Sequence, residues 1–397
     1  MMQINQPISM LAGLSPKEFM QKYWQKKPLL IKGAFKDFKP VLSRAELFEL
    51  AESDEVQSRL IQAKLLDGKT QWSVYHGPIT GRGKPSFSEE AWTLLVQGVD
   101  LVNADAARLL REFRFIPDAR LDDLMISYAS HRGGVGPHFD SYDVFLIQAS
   151  GQRLWRIAKQ KDFSLKQDTP LKILNHFEAE KEYVLDPGDM LYLPPMYAHD
   201  GIAVGECMTY SVGFRAPKSD ELAREIFLRL SDDVQDLIGS KLYSDPDQMA
   251  VTTPAQIPLE LKHFAMSALA QAIDRPIIFS RLLGEMLSEP KDHVWFQSSV
   301  PAPTKVRKGA HPFPSGIRLD DQTKMLYDEH FIFMNGEGWR ATSKDKTLMR
   351  LLANQRTLSR EELTNASEDA VDLIRNWLDA GWAHPLQMLT KQALNKG

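Results

Sequence analysis

The sequence predicts an α+β chain: an antiparallel sandwich or barrel of short strands, then helices, then a small helical C-terminal part. Three observations carry this. Between Leu124 and Arg215, short apolar runs are separated by Gly, Pro or polar turns, the spacing of a β sandwich or barrel. Beyond Pro217 the apolar pattern becomes helical. From about residue 315, three helical stretches precede Gly381-Trp382 and a terminal strand pair, which resembles a winged helix.

The elements follow in order. Ser15 is placed to cap a helix with Pro16 first inside it and Glu18 as the capping-box acid, running to about Gln25. Residues 28–32 read as a strand, and Ser43 with Glu46 opens a second helix by the same box. Residues 56–76 alternate polar and apolar and read as strands; 77–88, rich in Gly, Pro and Ser, read as a loop. Residues 89–115 read as helices, with Leu94, Leu95, Val99 and Val102, then Ala107, Leu110 and Phe113, facing inward. Strands are expected at 124–129, 144–148, 154–158, 182–185, 190–193 and 208–214, with an irregular 159–181 over the mouth. Helices are expected near 220–239 and 257–288. A Pro-rich linker at 298–314 and helices at 348–354, 360–365 and 370–380 follow.

Composition bounds the function. At 397 residues the chain is too long for one ordinary core. A net charge of −4 gives no general attraction to nucleic acid. Residues 301–397 hold 14 Lys and Arg against 12 Asp and Glu, so a protein-contact or packing role is favoured there over DNA reading. The lone Cys207 excludes an intrachain disulfide and reads as a core thiol, consistent with a reducing cytoplasm. Residues 1–14 have no basic start and no long apolar run, so no secretory signal is expected, nor any membrane span.

The chemistry is concentrated in His138-Phe139-Asp140 and His199. Strand periodicity puts residues 138 and 140 on one face. The second imidazole follows Pro187-Gly188-Asp189, a tight turn, a short apolar strand, and Pro194-Pro195, which ends pairing. Two His and one carboxylate with open positions suit a non-heme Fe(II) oxygenase. Zinc, nickel or manganese could bind the same atoms. The plainer alternative is two satisfied histidines at strand ends. Glycines 133, 134 and 136 lead into His138 and permit close backbone approach.

Residues 124–214 resemble the Jumonji-C branch of the cupin superfamily, within it the ribosomal oxygenases. The likeness rests on Tyr23–Gly33, Asp122–Ser127, Gly134–Phe145, Tyr210–Pro217 and Tyr243–Asp247. It covers nearly the whole chain and thins after about residue 300. The resemblance implies a double-stranded β-helix in a catalytic domain over 1–216 (core strands about 120–216). It also implies a helical dimerisation domain over 217–300 and a winged-helix-like domain over 301–397. It implies Fe(II) held by His138, Asp140 and His199, with 2-oxoglutarate and O2 as cosubstrates. Arg153 would receive the distal carboxylate of 2-oxoglutarate, since a guanidinium grips a carboxylate with two parallel bonds. Ser127 would be a second cosubstrate contact; a hydroxyl bonded to neighbouring backbone is the alternative. Tyr210 and Ser211 are further candidates for the pocket wall, whereas Arg156, on the opposite strand face, reads as solvated. The implied reaction is hydroxylation of an arginine Cβ in a large-subunit ribosomal protein by a cytoplasmic homodimer with no sequence-specific nucleic-acid binding. A Jumonji-C demethylase and a noncatalytic, ligand-sensing DNA-binding regulator are the rivals.

Overall fold

The computed structural model describes residues 3–298, 312–340 and 343–386, so most of the expected 298–314 linker lies outside the described residues. Two compact units are present, Met1–Ala216 with Lys291–Trp295, and Pro217–Pro290 with Phe296–Gly397.

The first unit contains α1 (Pro16–Lys22), β1 (Leu29–Ile31), α2 (Arg44–Ala51), β2 (Ser58–Leu66), β3 (Lys69–His76), β4 (Trp92–Val96), α3 (Ala104–Arg111), β5 (Leu121–Ala129), β6 (Val144–Ala158), β7 (Lys181–Leu185), β8 (Met190–Leu193) and β9 (Ala198–Phe214). Both expected capping boxes form: Ser15 and Glu18 start α1, and Ser43 and Glu46 start α2. The strands make one antiparallel sheet in the order β1-β8-β6-β9-β5-β4-β2-β3, with β7 also on β6. This is the sheet of the expected double-stranded β-helix. An aromatic core built on Phe19, Phe145, Tyr192 and Phe214 packs the N-terminal helices against it.

Three local expectations are corrected. Residues 92–96 form a strand, not a helix: all five are buried between β2 and β5, so tertiary pairing overrides a pattern that local periodicity cannot separate from a helix. Val102, expected inward, is exposed. The stretches at 144–148 and 154–158 are one strand, β6, which passes Ser150-Gly151 through register shifts; Gly151 takes φ 60° there. His199 lies at the start of the long β9, on a strand beyond Pro194-Pro195.

The second unit contains α4 (Ser219–Ile238), α5 (Leu259–Ile273), α6 (Pro276–Ser288), β10 (Ile317–Leu319), β11 (Met325–Tyr327), β12 (Phe331–Met334), β13 (Glu337–Arg340), α7 (Ser343–Gln355), β14 (Thr357–Leu358), α8 (Arg360–Leu363), α9 (Glu368–Asp379) and β15 (Ala383–Pro385). The expected 257–288 helix is two, because Pro276 cannot continue α5 and instead starts α6. The meander β11–β12–β13 was not expected, although Asn335-Gly336, both at positive φ, is a strong two-residue hairpin turn. α6 packs on this meander, with Gly284 against the ring of Phe333. A second sheet, β14-β10-β15, closes over Trp377 and Ile374 of α9. This helix-and-sheet arrangement matches the winged-helix expectation.

Candidate active site

His138 is positioned by backbone, not by a regular strand. It forms an isolated β-bridge with His199: His138 N donates to His199 O at 2.9 Å, and His199 N to His138 O at 2.8 Å. The glycine-rich lead-in runs antiparallel to the start of β9, where Ala203 N donates to Gly133 O. A Cβ at Gly134 would sit 2.6 Å from the Gly201 carbonyl, so only glycine lets the two backbones lie this close. Gly136, at φ 78°, turns the chain so that its carbonyl receives His138 Nδ1 at 2.9 Å. The Tyr197 carbonyl receives His199 Nδ1, also at 2.9 Å. Both imidazoles are thereby held with Nδ1 occupied and Nε2 presented to the cavity side.

The bridge brings the two rings together with centroids 4.2 Å apart and planes tilted by 60°, and His199 Nε2 lies 3.7 Å from Asp140 Oδ2. One ligand atom from each of His138, Asp140 and His199 falls within a 4.8 Å span, the one such group of three among the described residues. Burial, reinforced by His138 alongside, pushes the His199 imidazole down to about 4, so at pH 7 it is neutral, the form that ligates a metal. Two Nε2 atoms and a carboxylate fit a divalent transition ion and leave the opposite side open.

These groups stand in the wall of a cavity of 570 Å³ between the sheet and the 159–181 segment, whose Pro170, Leu171 and Lys172 line it. Arg153 lies in the same wall and is only 5% exposed. Its Nη1 donates to Ser127 Oγ (3.1 Å) and Thr209 Oγ1 (3.3 Å), and Thr209 in turn donates to Gln148 Oε1 at 2.9 Å. Every one of these acceptors is neutral. Arg153 Nε and the indole N–H of Trp155, which packs on His199, are buried with no partner among the described residues. A buried guanidinium without a counter-ion is costly, and a bound carboxylate is the ligand that would relieve it. Ser127 donates to Thr209 O at 3.2 Å, the backbone bond expected as its alternative role, and accepts from Arg153 in the same cavity wall.

Ser211 lines the cavity, but Tyr210 does not. It is fully buried on the other face of β9, where its hydroxyl accepts the Val41 N–H at 2.8 Å. Arg156 points away, paired with Glu182 (3.2 Å) and Asp200 (3.6 Å). His131 accepts from Gly205 N outside the cavity wall, and Cys207 is buried among Ala129 and Ala203.

Sequence reading missed the acidic part of the cavity. Asp122, Asp123 and Tyr142 all line it. The register shift between Leu121 and Leu124 lets two consecutive acids face the same side. Lys291 reaches Asp122 at 3.1 Å and Asp123 at 3.3 Å, and Arg215 reaches Asp122 at 3.4 Å. Burial pushes both carboxyls up; the two cations outweigh it at Asp122, whereas burial prevails at Asp123. Counting back by twos from Ser127 gives Met125 and Asp123, so the second acid was legible from strand period alone.

Residues 108–222 match the JmjC domain family, and residues 269–384 match the ROXA-like winged helix. The ribosomal protein uL16 3-hydroxylase of Escherichia coli K12 is 35% identical over 358 residues, covering 89% of this chain and 92% of that protein. The X-ray structure of Escherichia coli YcfD superposes with a TM-score of 0.79 at 32% identity, covering 93% of this chain and 97% of that one. YcfD, a ribosomal oxygenase, in complex with cobalt and 2-oxoglutarate gives a TM-score of 0.77 at 32% identity, over 94% and 98% of the two chains.

Proposed function

The chain belongs to the JmjC ribosomal oxygenases, and from that premise we propose that it hydroxylates an arginine Cβ in the large-subunit ribosomal protein uL16. It is a 2-oxoglutarate-dependent non-heme iron dioxygenase that acts on a ribosomal protein. Iron, when bound, activates O2 and couples the oxidative decarboxylation of 2-oxoglutarate to insertion of one oxygen into a C–H bond. The observation that carries the residue assignment is the convergence of the His138, Asp140 and His199 ligand atoms with a buried Arg153 that makes no ion pair among the described residues, in one cavity wall.

In this reading His138, Asp140 and His199 hold the metal from one side. A backbone bridge joins His138 to His199, and the Gly136 and Tyr197 carbonyls orient the two rings. Arg153 receives the distal carboxylate of 2-oxoglutarate, and Ser127, Thr209 and Gln148 keep its guanidinium in place. Asp122 and Asp123 line the same cavity, and a substrate guanidinium would share these carboxyls with Lys291 and Arg215. The 159–181 segment covers the reacting atoms and limits water.

The test is incubation with uL16-bearing ribosomes, Fe(II) and 2-oxoglutarate, followed by mapping of the modified peptide. Succinate release and the gain of one oxygen on a uL16 arginine are expected. Loss of a methyl group instead would make the protein a demethylase, and no succinate with any ribosomal substrate would leave the ligand-sensor reading.

The functional particle is proposed to be a homodimer through the helical segment 217–300. α4 buries none of its 20 residues, and Phe227 and Leu228 are more than half exposed. Met266, Leu269 and Ile273 on α5 are exposed as well. A second copy of this chain would cover such a face, and a stable interface needs about 1,600 Å². Light scattering should give twice the 45.1 kDa chain mass; Phe227→Asp with Leu269→Asp should return it to monomer. A parent protein that runs at the single-chain mass ends this proposal. No described helix is long and apolar enough to cross a membrane. We place the enzyme in the cytoplasm with the ribosome, its C-terminal module contacting protein and not reading bases.

A further inference from the structure

Arg59 and Gln97 line the active-site cavity from strands the metal centre does not use. Arg59 lies on β2 and Gln97 directly follows β4, both before the residues that match the JmjC domain. Arg59 pairs with Leu95 across β2 and β4, and Leu95 pairs with Ser127 across β4 and β5. Arg59 is thus two strands, roughly 10 Å, from Ser127 along one row of the sheet. Arg153 already occupies the Ser127 and Thr209 end of that row. Gln97, two residues beyond Leu95, is the diagonal neighbour of Arg59 on the same face.

Neither side chain is used by the fold. Among the described residues, Arg59 makes no ion pair or side-chain hydrogen bond, and its Nε is buried without an acceptor. Gln97 makes no side-chain hydrogen bond; only its backbone N–H is engaged, with Gln57 O. Among the described residues, Asp122 and Asp123, which line the same cavity, pair with Lys291 and Arg215 and form no ion pair with Arg59.

A guanidinium offers donors only, while a carboxamide offers one acceptor and two donors. Side by side they match the alternating C=O and N–H groups of an extended peptide. We propose that Arg59 and Gln97 bind the main chain of the substrate polypeptide next to the residue being hydroxylated, Arg59 donating to a carbonyl and Gln97 bonding the adjacent amide. This rests on the reading of the protein as a polypeptide hydroxylase and deepens it: recognition of the peptide backbone is supplied by β2 and the end of β4, outside the part that holds metal and cosubstrate.

The probe is a fluorescent peptide of about 20 residues centred on the uL16 arginine that the ribosome assay above maps, titrated by anisotropy into the full-length protein loaded with Mn(II) and 2-oxoglutarate. Arg59→Met should weaken peptide binding about tenfold or more, and Gln97→Ala by a smaller factor. Arg59→Lys should recover part of the loss, since an ammonium still donates to a carbonyl. The affinity for 2-oxoglutarate, read by titration of the same proteins, separates this role from a structural one. Parent-like peptide affinity in Arg59→Met and Gln97→Ala overturns the inference alone. So does a loss of 2-oxoglutarate affinity in step with that for the peptide. A parent protein that neither binds nor hydroxylates any uL16 peptide overturns the substrate reading and this inference together.

Discussion

His199→Ala is expected to remove bound metal and lower succinate production by at least about a hundredfold, beyond the effect of losing a supporting group around a metal. The side chain supplies one of three ligand atoms in the 4.8 Å cluster, and no fourth His, Cys, Asp or Glu among the described residues joins that group. His138→Ala and Asp140→Ala should act alike. The fold should survive each change, because the bridge that joins the two segments is made by backbone N–H and C=O groups that alanine retains. Metal content, circular dichroism and 2-oxoglutarate turnover decide it together. A His199→Ala protein that holds stoichiometric iron and turns over normally would sink the assignment of the metal site.

Arg153→Ala is expected to raise the 2-oxoglutarate requirement by about a hundredfold or more while metal binding stays near that of the parent. Removing one partner of a buried ion pair costs roughly 3–5 kcal/mol, and in the ligand complex that partner would be the cosubstrate's distal carboxylate. Arg153→Lys should recover only part of the affinity, because an ammonium lacks the planar fork and cannot span Ser127 Oγ, Thr209 Oγ1 and a carboxylate at once. Titration of 2-oxoglutarate against turnover measures the shift. Unchanged dependence in Arg153→Ala would mean that another cation holds the distal carboxylate; Lys172, in the cavity wall, would be the next to test.

On the proposed reading, substrate selection is divided among distant parts of the chain. The acid pair Asp122 and Asp123 comes from the start of β5, Arg59 and Gln97 from the β2 and β4 region, and Pro170 to Lys172 from the segment over the mouth. Loss of Asp123 and loss of Arg59 should therefore weaken different halves of the same substrate, the side chain and the main chain.

The sequence by itself determined the local devices. Ser15 with Glu18 and Ser43 with Glu46 cap their helices because a capping box needs only residues three apart. The order His138, Asp140, His199 was legible because glycines and prolines mark where backbone must come close or pairing must stop. Arg153 was reached through family likeness, since an arginine in a strand has no local mark of its own. Only the tertiary structure decided what depends on partners far along the chain. The stretch 92–96 is a strand because β2 and β5 lie on either side of it. β6 and β9 run through their polar interruptions because long antiparallel pairing absorbs a bulge that a local reading takes for an end. Thr209 and Gln148 beneath Arg153, the turning of Asp122 to the side of Asp123 at the bulge of β5, and the unpartnered Arg59 all follow from register across strands. A sheet brings together residues far apart in the chain, from Leu95 with Ser127 to Leu29 with Tyr192, by hydrogen bonds between backbones, and neither partner's own periodicity names the other.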